Sequence, residues 1–238
     1  MKRRLTIARV AFFIAALAFV LVAVFPLRLA LDWLGLDERG FAAREATGTI
    51  WIGALKEAQI GPVPLGDLET RLHTLPLFLG RARISLTRDD EADPFRGAVS
   101  VSRHAFGIDD VSGRLPVGAA IAPIPIGQIE LVDVSAGFES GLCTRGEGQV
   151  RAVLSGEAAA LGLPAALTGN VRCAGDALLL GFAGPAGMER LQFRLFADGR
   201  YRADLAVRVS DTRIGARLTA AGFLSGREGF VRVYEGRF

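Results

Sequence analysis

Two cysteines, two histidines and one run of carboxylates are the side chains of this 238-residue sequence whose types invite chemistry. Cys143 and Cys173 are its only thiols. In an oxidising compartment each has the other as its one available partner. A bridge would close a loop of about 30 residues and constrain the unfolded chain by roughly 3–3.5 kcal/mol in the loop-entropy account. The plainer alternative is two reduced, buried small residues. His73 and His104 fall in or beside different strand candidates. Neither has a second imidazole or thiol at ligand spacing, so exposed strand histidines are the simpler reading. Asp89-Asp90-Glu91-Ala92-Asp93 supplies the several oxygens a hard cation takes, but it lacks the glycine and distal glutamate of a calcium loop. It reads as a solvated hairpin tip. The glycine-rich stretch 181–187 has no Lys or Ser after it and no helix to open, so it does not make a phosphate cradle. No serine elbow of the G-x-S-x-G type occurs. Hydrolases and transferases need a nucleophile with a base, a carboxylate pair or a metal. No catalytic residue, no metal site and no cofactor is assigned, and the chain reads as a non-enzyme.

The elements that must hold these residues begin with an uncharged run, Val10–Leu27, between Arg9 and Arg28. As a helix rising ~1.5 Å per residue it reaches roughly 27 Å, enough for the hydrocarbon core of a bilayer. Lys2, Arg3, Arg4 and Arg9 precede it and no acidic residue occurs before Asp32. This topogenic asymmetry keeps the N-terminus in the cytoplasm and sends the rest across the membrane. The expected division is a basic cytoplasmic N-terminus over 1–9, a single transmembrane helix over 10–31 and a periplasmic β domain over 32–238, in the cell inner membrane. A cleaved signal peptide competes, but Ala16-Leu17-Ala18 sits inside the run and the run exceeds a signal core. Arg28 would snorkel at the far interface, with Trp33 beside it as an aromatic anchor. The same four basic residues exceed the formal net charge of +3 and leave the remainder with one surplus acid. No basic domain remains to grip phosphates, which argues against nucleic acid as a partner.

Beyond the anchor, period-2 alternation replaces helical spacing. In Leu191–Val209, Leu191, Phe193 and Leu195 alternate with Gln192 and Arg194. After Asp198-Gly199, the apolar Tyr201, Ala203, Leu205 and Val207 alternate with polar neighbours. Asp-Gly between two such runs is a strong hairpin signal. Ile214, Ala216, Leu218 and Ala220 extend the pattern as a further strand, and Phe230–Tyr234 as a last one. Shorter strands are predicted over 46–52, 67–73, 81–87, 98–103, 107–114, 128–138, 148–154, 166–173 and 177–182. Leu75–Gly80 is expected to form a helical turn, and the Pro-rich Leu115–Ile126 a loop or a seam between halves. The predicted class is mainly β: an N-terminal transmembrane helix, then an extended antiparallel meander sheet or sandwich.

One succession of motifs carries more. Gly48-Thr49-Ile50-Trp51-x-Gly53, then Gly61, Leu65-Gly66-Asp67-Leu68, Leu75-Pro76-Leu77 and Gly80-Arg81 resemble the type II secretion system protein N family. The likeness continues through Val111-Ser112-Gly113-Arg114-Leu115-Pro116 and the cysteine pair. One departure is Thr70, near which the family pattern places a tryptophan. The resemblance implies an inner-membrane component of the apparatus that exports folded proteins across the outer membrane, touching other secretion subunits through strand edges or sheet faces. Trp51, read on the opposite strand face from Ile50 and Ile52, is the candidate partner contact beside its role as a core aromatic. A second reading is a membrane-anchored lipid carrier or bridge of AsmA type, in which a curled sheet would shield acyl chains on its apolar inner face.

Overall fold

The computed structural model describes residues 2–33, 40–227 and 229–237, and within them not the side chains of 2–8, 33, 157 and 160. The basic side chains Lys2, Arg3 and Arg4 and the indole of Trp33 therefore lie outside it. Helix α1 spans Lys2–Ala23 and α2 spans Leu27–Trp33. The sheet begins with β1 (Phe41–Ala42), β2 (Glu45–Gly48), β3 (Ile52–Ile60) and β4 (Val63–Leu72). After the short α3 (Thr74–Phe78) come β5 (Arg81–Arg88), β6 (Phe95–Ser102), β7 (Ala105–Pro116), β8 (Ile126–Glu139) and β9 (Leu142–Leu154). A second short helix, α4 (Gly156–Ala160), leads to β10 (Ala166–Ala174), β11 (Ala177–Ala183), β12 (Glu189–Phe196) and β13 (Arg200–Val207). Helix α5 (Thr212–Ala220), β14 (Leu224–Gly226) and β15 (Gly229–Arg237) complete the described chain.

These strands form a single antiparallel sheet of 15, in place of the sandwich alternative. From β3 to β13, neighbours in space are neighbours in sequence. The order changes only at the end, where β15 pairs with β13 and β14 lies outside it. At the other edge β1 and β2 both pair with β3 and act as one interrupted strand. Neighbouring strands are joined mostly by short connections, which is why the alternation could be read as a meander.

Alternation gives the sheet one apolar face, which buries two clusters. The larger runs from β8 to β15 and includes Val134, Phe138, Leu167, Leu191, Leu205 and Tyr234. Helix α5 lays Leu218 into it, α4 adds Ala158, and the 117–125 loop adds Ile121 and Ile124. The Pro-rich segment is thus a loop tucked into the core, while the ladder passes from β7 to β8 through Pro116↔Gln128. The smaller cluster holds Leu55, Ala58, Leu65, Leu68, Phe95 and Val111, covered by Leu27 and Leu31 of α2.

Two local expectations are corrected. Residues 212–220 form a helix, not a strand. The spacing of Ile214 and Leu218 fits one helix face as well as a strand face, and the deciding signal is Asp211, which caps the helix by accepting from the Arg213 N–H at 2.7 Å. The Gly48–Trp51 motif is not strand interior either. It forms the β2–β3 connection: Gly48 has φ of 84°, and a Cβ there would lie 2.6 Å from the Ile52 carbonyl oxygen. Position 54–60, for which no strand is predicted, continues β3.

The single transmembrane helix expected over 10–31 is not found as such: α1 ends at Ala23 and α2 begins at Leu27, a break beside Pro26. Among the described residues no helix is long and apolar enough to cross a membrane. Helix α1 nevertheless leaves Val10, Phe12, Phe13, Ile14, Leu17 and Phe19 each more than half exposed, so it does not pack on the sheet along this stretch.

Candidate interaction surface at the helix end of the sheet

In an antiparallel meander alternate turns share one end. Here the β2–β3, β4–β5, β6–β7, β8–β9, β10–β11 and β12–β13 connections all lie at the end where the N-terminal helices join the sheet. The joint is made by hydrogen bonds. The indole Nε1–H of Trp51 donates to the Val22 carbonyl at 3.0 Å, and the Ile50 N–H donates to Phe25 at 3.0 Å. Both acceptors lie at or just past the end of α1, where carbonyls lack their full helical partners; Val22 has besides Trp51 only a long bond from the Phe25 N–H at 3.4 Å. Trp51, the predicted partner contact, is therefore placed in the turn, fastening α1 to the sheet. Its carbonyl in turn accepts from the Leu72 N–H at 3.1 Å, which brings the end of β4 to the same spot.

The outer face, opposite the apolar one, is polar from β3 to β9. An open cavity of about 650 Å³ lies over β3–β5, bordered by Ile52, Glu69, Arg71, His73, Ser85 and Asp89. His73 places Nε2 2.7 Å from Ser85 Oγ, so its polar partner is a hydroxyl. His104 stands exposed in the β6–β7 turn. Further along the same face Asp109 accepts from Ser100 Oγ at 2.6 Å, Arg145 at 2.7 Å and Arg83 at 2.9 Å. Arg145 also donates to Glu147 at 2.6 Å, and that hydrogen bond raises the Arg145 pKa above its ordinary value, with burial opposing and the Glu147, Asp109 and Asp110 charges assisting. This network ties β5, β6, β7 and β9 together. Its signal in the sequence is single charges at alternate strand positions, which become a cluster only once the strands are in register.

Of the other predicted site residues, Cys143 and Cys173 are joined in a disulfide, with Cα atoms 5.5 Å apart, between β9 and β10. The acidic run 89–93 is the β5–β6 hairpin tip, braced by Arg88, which bonds to Asp93 and to the Leu65 carbonyl. Among the described residues no group of three or more His, Cys, Asp or Glu is placed to hold a metal ion.

The feature sequence reasoning missed is the exposure of the β4–β5 connection. None of α3 is buried. Phe78 is 88% exposed, Leu79 87% and Leu75 79%, three apolar side chains in one turn. Their spacing signals only a helical turn, because nothing local reveals that the sheet offers them no cover.

A family model described as type II secretion system (T2SS), protein N, matches residues 39–233. No curated protein and no solved structure matches the chain.

Proposed function

The chain belongs to the type II secretion system protein N family, and we propose that it is an inner-membrane-anchored, periplasmic interaction subunit of that system. Its N-terminus lies in the cytoplasm and its sheet in the periplasm, where it helps export folded proteins across the outer membrane. The observation that carries the anchoring is α1, whose exposed apolar side chains need a non-aqueous cover and whose last turn is fixed to the sheet by Trp51 and Ile50. The Cys143–Cys173 bridge suits an oxidising compartment.

Contacts with other secretion subunits are best served by the outer edge of β15. Strand β14 covers it only from Gly229 to Val231, so among the described residues 232–237 present an unpaired edge on that side. Such an edge accepts an added strand. The lipid-carrier reading is weaker, because the apolar face is filled by the protein's own side chains: Phe223, Ile126, Leu167, Leu191 and Leu218 are fully buried against it. An acyl chain would have to displace them.

Alkaline carbonate extraction, together with a phosphatase reporter fused after Phe238, tests the topology. Retention in the inner membrane with an active periplasmic reporter is expected, and release of the intact chain into the wash would overturn the anchoring. Deletion of the gene is expected to trap secreted proteins in the periplasm. A photo-crosslinker at Val233 should capture a secretion subunit, whereas unchanged export in the deletion strain would refute the assigned role.

A further inference from the structure

The apolar turn between β4 and β5 stands where the anchor helix leaves the sheet. The chain of contacts is short: Val22 to Trp51 at 3.0 Å, then Trp51 to Leu72 at 3.1 Å. Helix α3 begins two residues after Leu72, a reach of at most about 7 Å along the chain. If α1 occupies the bilayer, the residues bonded to its last turn lie at the bilayer surface, and so does this turn. Single exposed leucines are ordinary on any protein. Leu75, Leu77, Phe78 and Leu79 with Pro76 among them make a contiguous apolar knob, which water disfavours.

Two arginines flank the knob, with the exposed Glu139 beyond them on β8. Arg81 follows the knob directly, and Arg103 lies in the adjoining β6–β7 turn, beside Ser102, the cross-strand partner of Arg81. Both are exposed, and neither forms an ion pair among the described residues. Several other arginines of the outer face, Arg83, Arg96, Arg145 and Arg202, pair with carboxylates. The exposed Arg71, at the same end of the sheet, shares with Arg81 and Arg103 the lack of an ion pair among the described residues. Apolar side chains bordered by unpaired cations are the composition of a protein surface that sits in the interface of an anionic membrane.

We propose that Leu75, Phe78 and Leu79 enter the surface layer of the bilayer beside α1, with Arg81 and Arg103 at the level of anionic head groups. This second contact rests on the anchoring of α1 proposed above. A single helix can tilt and rotate in the bilayer and carry the sheet fastened to it. A second contact on the neighbouring turn fixes the tilt of the sheet, and with it the direction in which the open β15 edge faces.

The test uses the full chain reconstituted in vesicles of phosphatidylethanolamine and phosphatidylglycerol. A thiol-reactive fluorophore is placed singly by Phe78→Cys, by Leu17→Cys in α1 and by Glu91→Cys at the opposite end of the sheet. Both native cysteines are held in the disulfide, so labelling is confined to the introduced thiol. Position 78 is 88% exposed, so the substitution removes no core contact. Lipids carrying a nitroxide near the head group are expected to quench position 78 at least about three-fold more than position 91, because an interfacial side chain sits about 5–10 Å into the head-group boundary. Position 17 should instead be quenched best by a nitroxide deep in the acyl chain. Quenching at 17 with none at 78 would overturn the second contact and leave the anchor standing. Absence of quenching at 17 would overturn the anchor and this proposal with it. Quenching at 78 that appears only when phosphatidylglycerol is present supports the head-group role of the arginines. Shielding of position 78 only on adding purified secretion subunits would mean that a protein covers the knob, and would refute the bilayer as its occupant.

Discussion

The two halves of the sheet are built from the same hairpins, yet they spend their apolar residues differently. From β8 to β15 the apolar face is sealed under α4, α5 and the 117–125 loop, and a disulfide joins β9 to β10. From β1 to β7 the buried cluster is small and α2 is its main cover. That half leaves Val101, Phe106 and the whole α3 turn at the surface, and Ile52 borders the open cavity on its outer face, whereas the second half exposes fewer large apolar side chains, Leu142 and Leu224 among them. A sheet that only needed to be stable would cover both halves alike. The difference gives the second half the larger closed core and leaves the first half with its apolar turn uncovered, the feature on which the proposed membrane contact rests.

The comparison breaks if the two cores contribute equally. Leu191 is 1% exposed in the large cluster, and Leu191→Ala is expected to cost about 3–5 kcal/mol, since the covered site cannot collapse into the space left. Leu55→Ala in the small cluster is expected near the lower limit of such truncations, about 2 kcal/mol, because the α2 side can relax toward it. Denaturant midpoints measured on the full chain in detergent would show the gap, and equal losses would abolish it. The next largest effect belongs to the bridge. Replacing both cysteines by serine should remove roughly 3 kcal/mol in the chain-entropy account. Hydrogen exchange should then accelerate in β8–β10 and stay unchanged in β3–β5. Acceleration across both halves would mean that they unfold as one unit.

A smaller effect of opposite sign sits in the first half. Thr70 is 6% exposed, and its Oγ1 has no hydrogen-bond partner among the described residues. A buried hydroxyl without a partner is a standing cost. Thr70→Val keeps the shape and removes the polar atom, so thermal unfolding should rise by the equivalent of about 1 kcal/mol. A drop would show that the hydroxyl is satisfied in solution.

Thr70 also shows where sequence reading succeeds and where it stops. The strand that carries it is legible because alternation within 67–73 is a local property. The hairpin at Asp198-Gly199 is legible for the same reason, its turn chemistry lying inside four residues. The 212–220 helix is not, since Ile214 and Leu218 satisfy both periods and only the cap at Asp211 separates them. The exposure of Phe78 and the convergence of Arg83, Ser100 and Arg145 on Asp109 are products of register across strands far apart in sequence. No window along the chain contains them.

The smallest expected effect tests how tightly the second half is sealed. Tyr234 is buried on β15, and burial raises its pKa above the usual 10.0, while the Arg232 guanidinium, 4.8 Å from the ring centre, pulls it back in part. The folded chain thus holds the phenolic proton more strongly than the unfolded chain does. Its contribution to stability is complete below pH 10.0 and is lost as pH rises through the higher folded value, because the unfolded state ionises first. Urea midpoints should therefore fall above pH 10 more steeply in the native protein than in Tyr234→Phe, which keeps the ring and its contact with Arg232 but cannot ionise. Identical slopes would show that water reaches this hydroxyl, and that the second half is less closed at its β15 edge than its core implies. A steeper native slope would locate the opening of the sheet elsewhere, in the first half, where its apolar residues are already exposed.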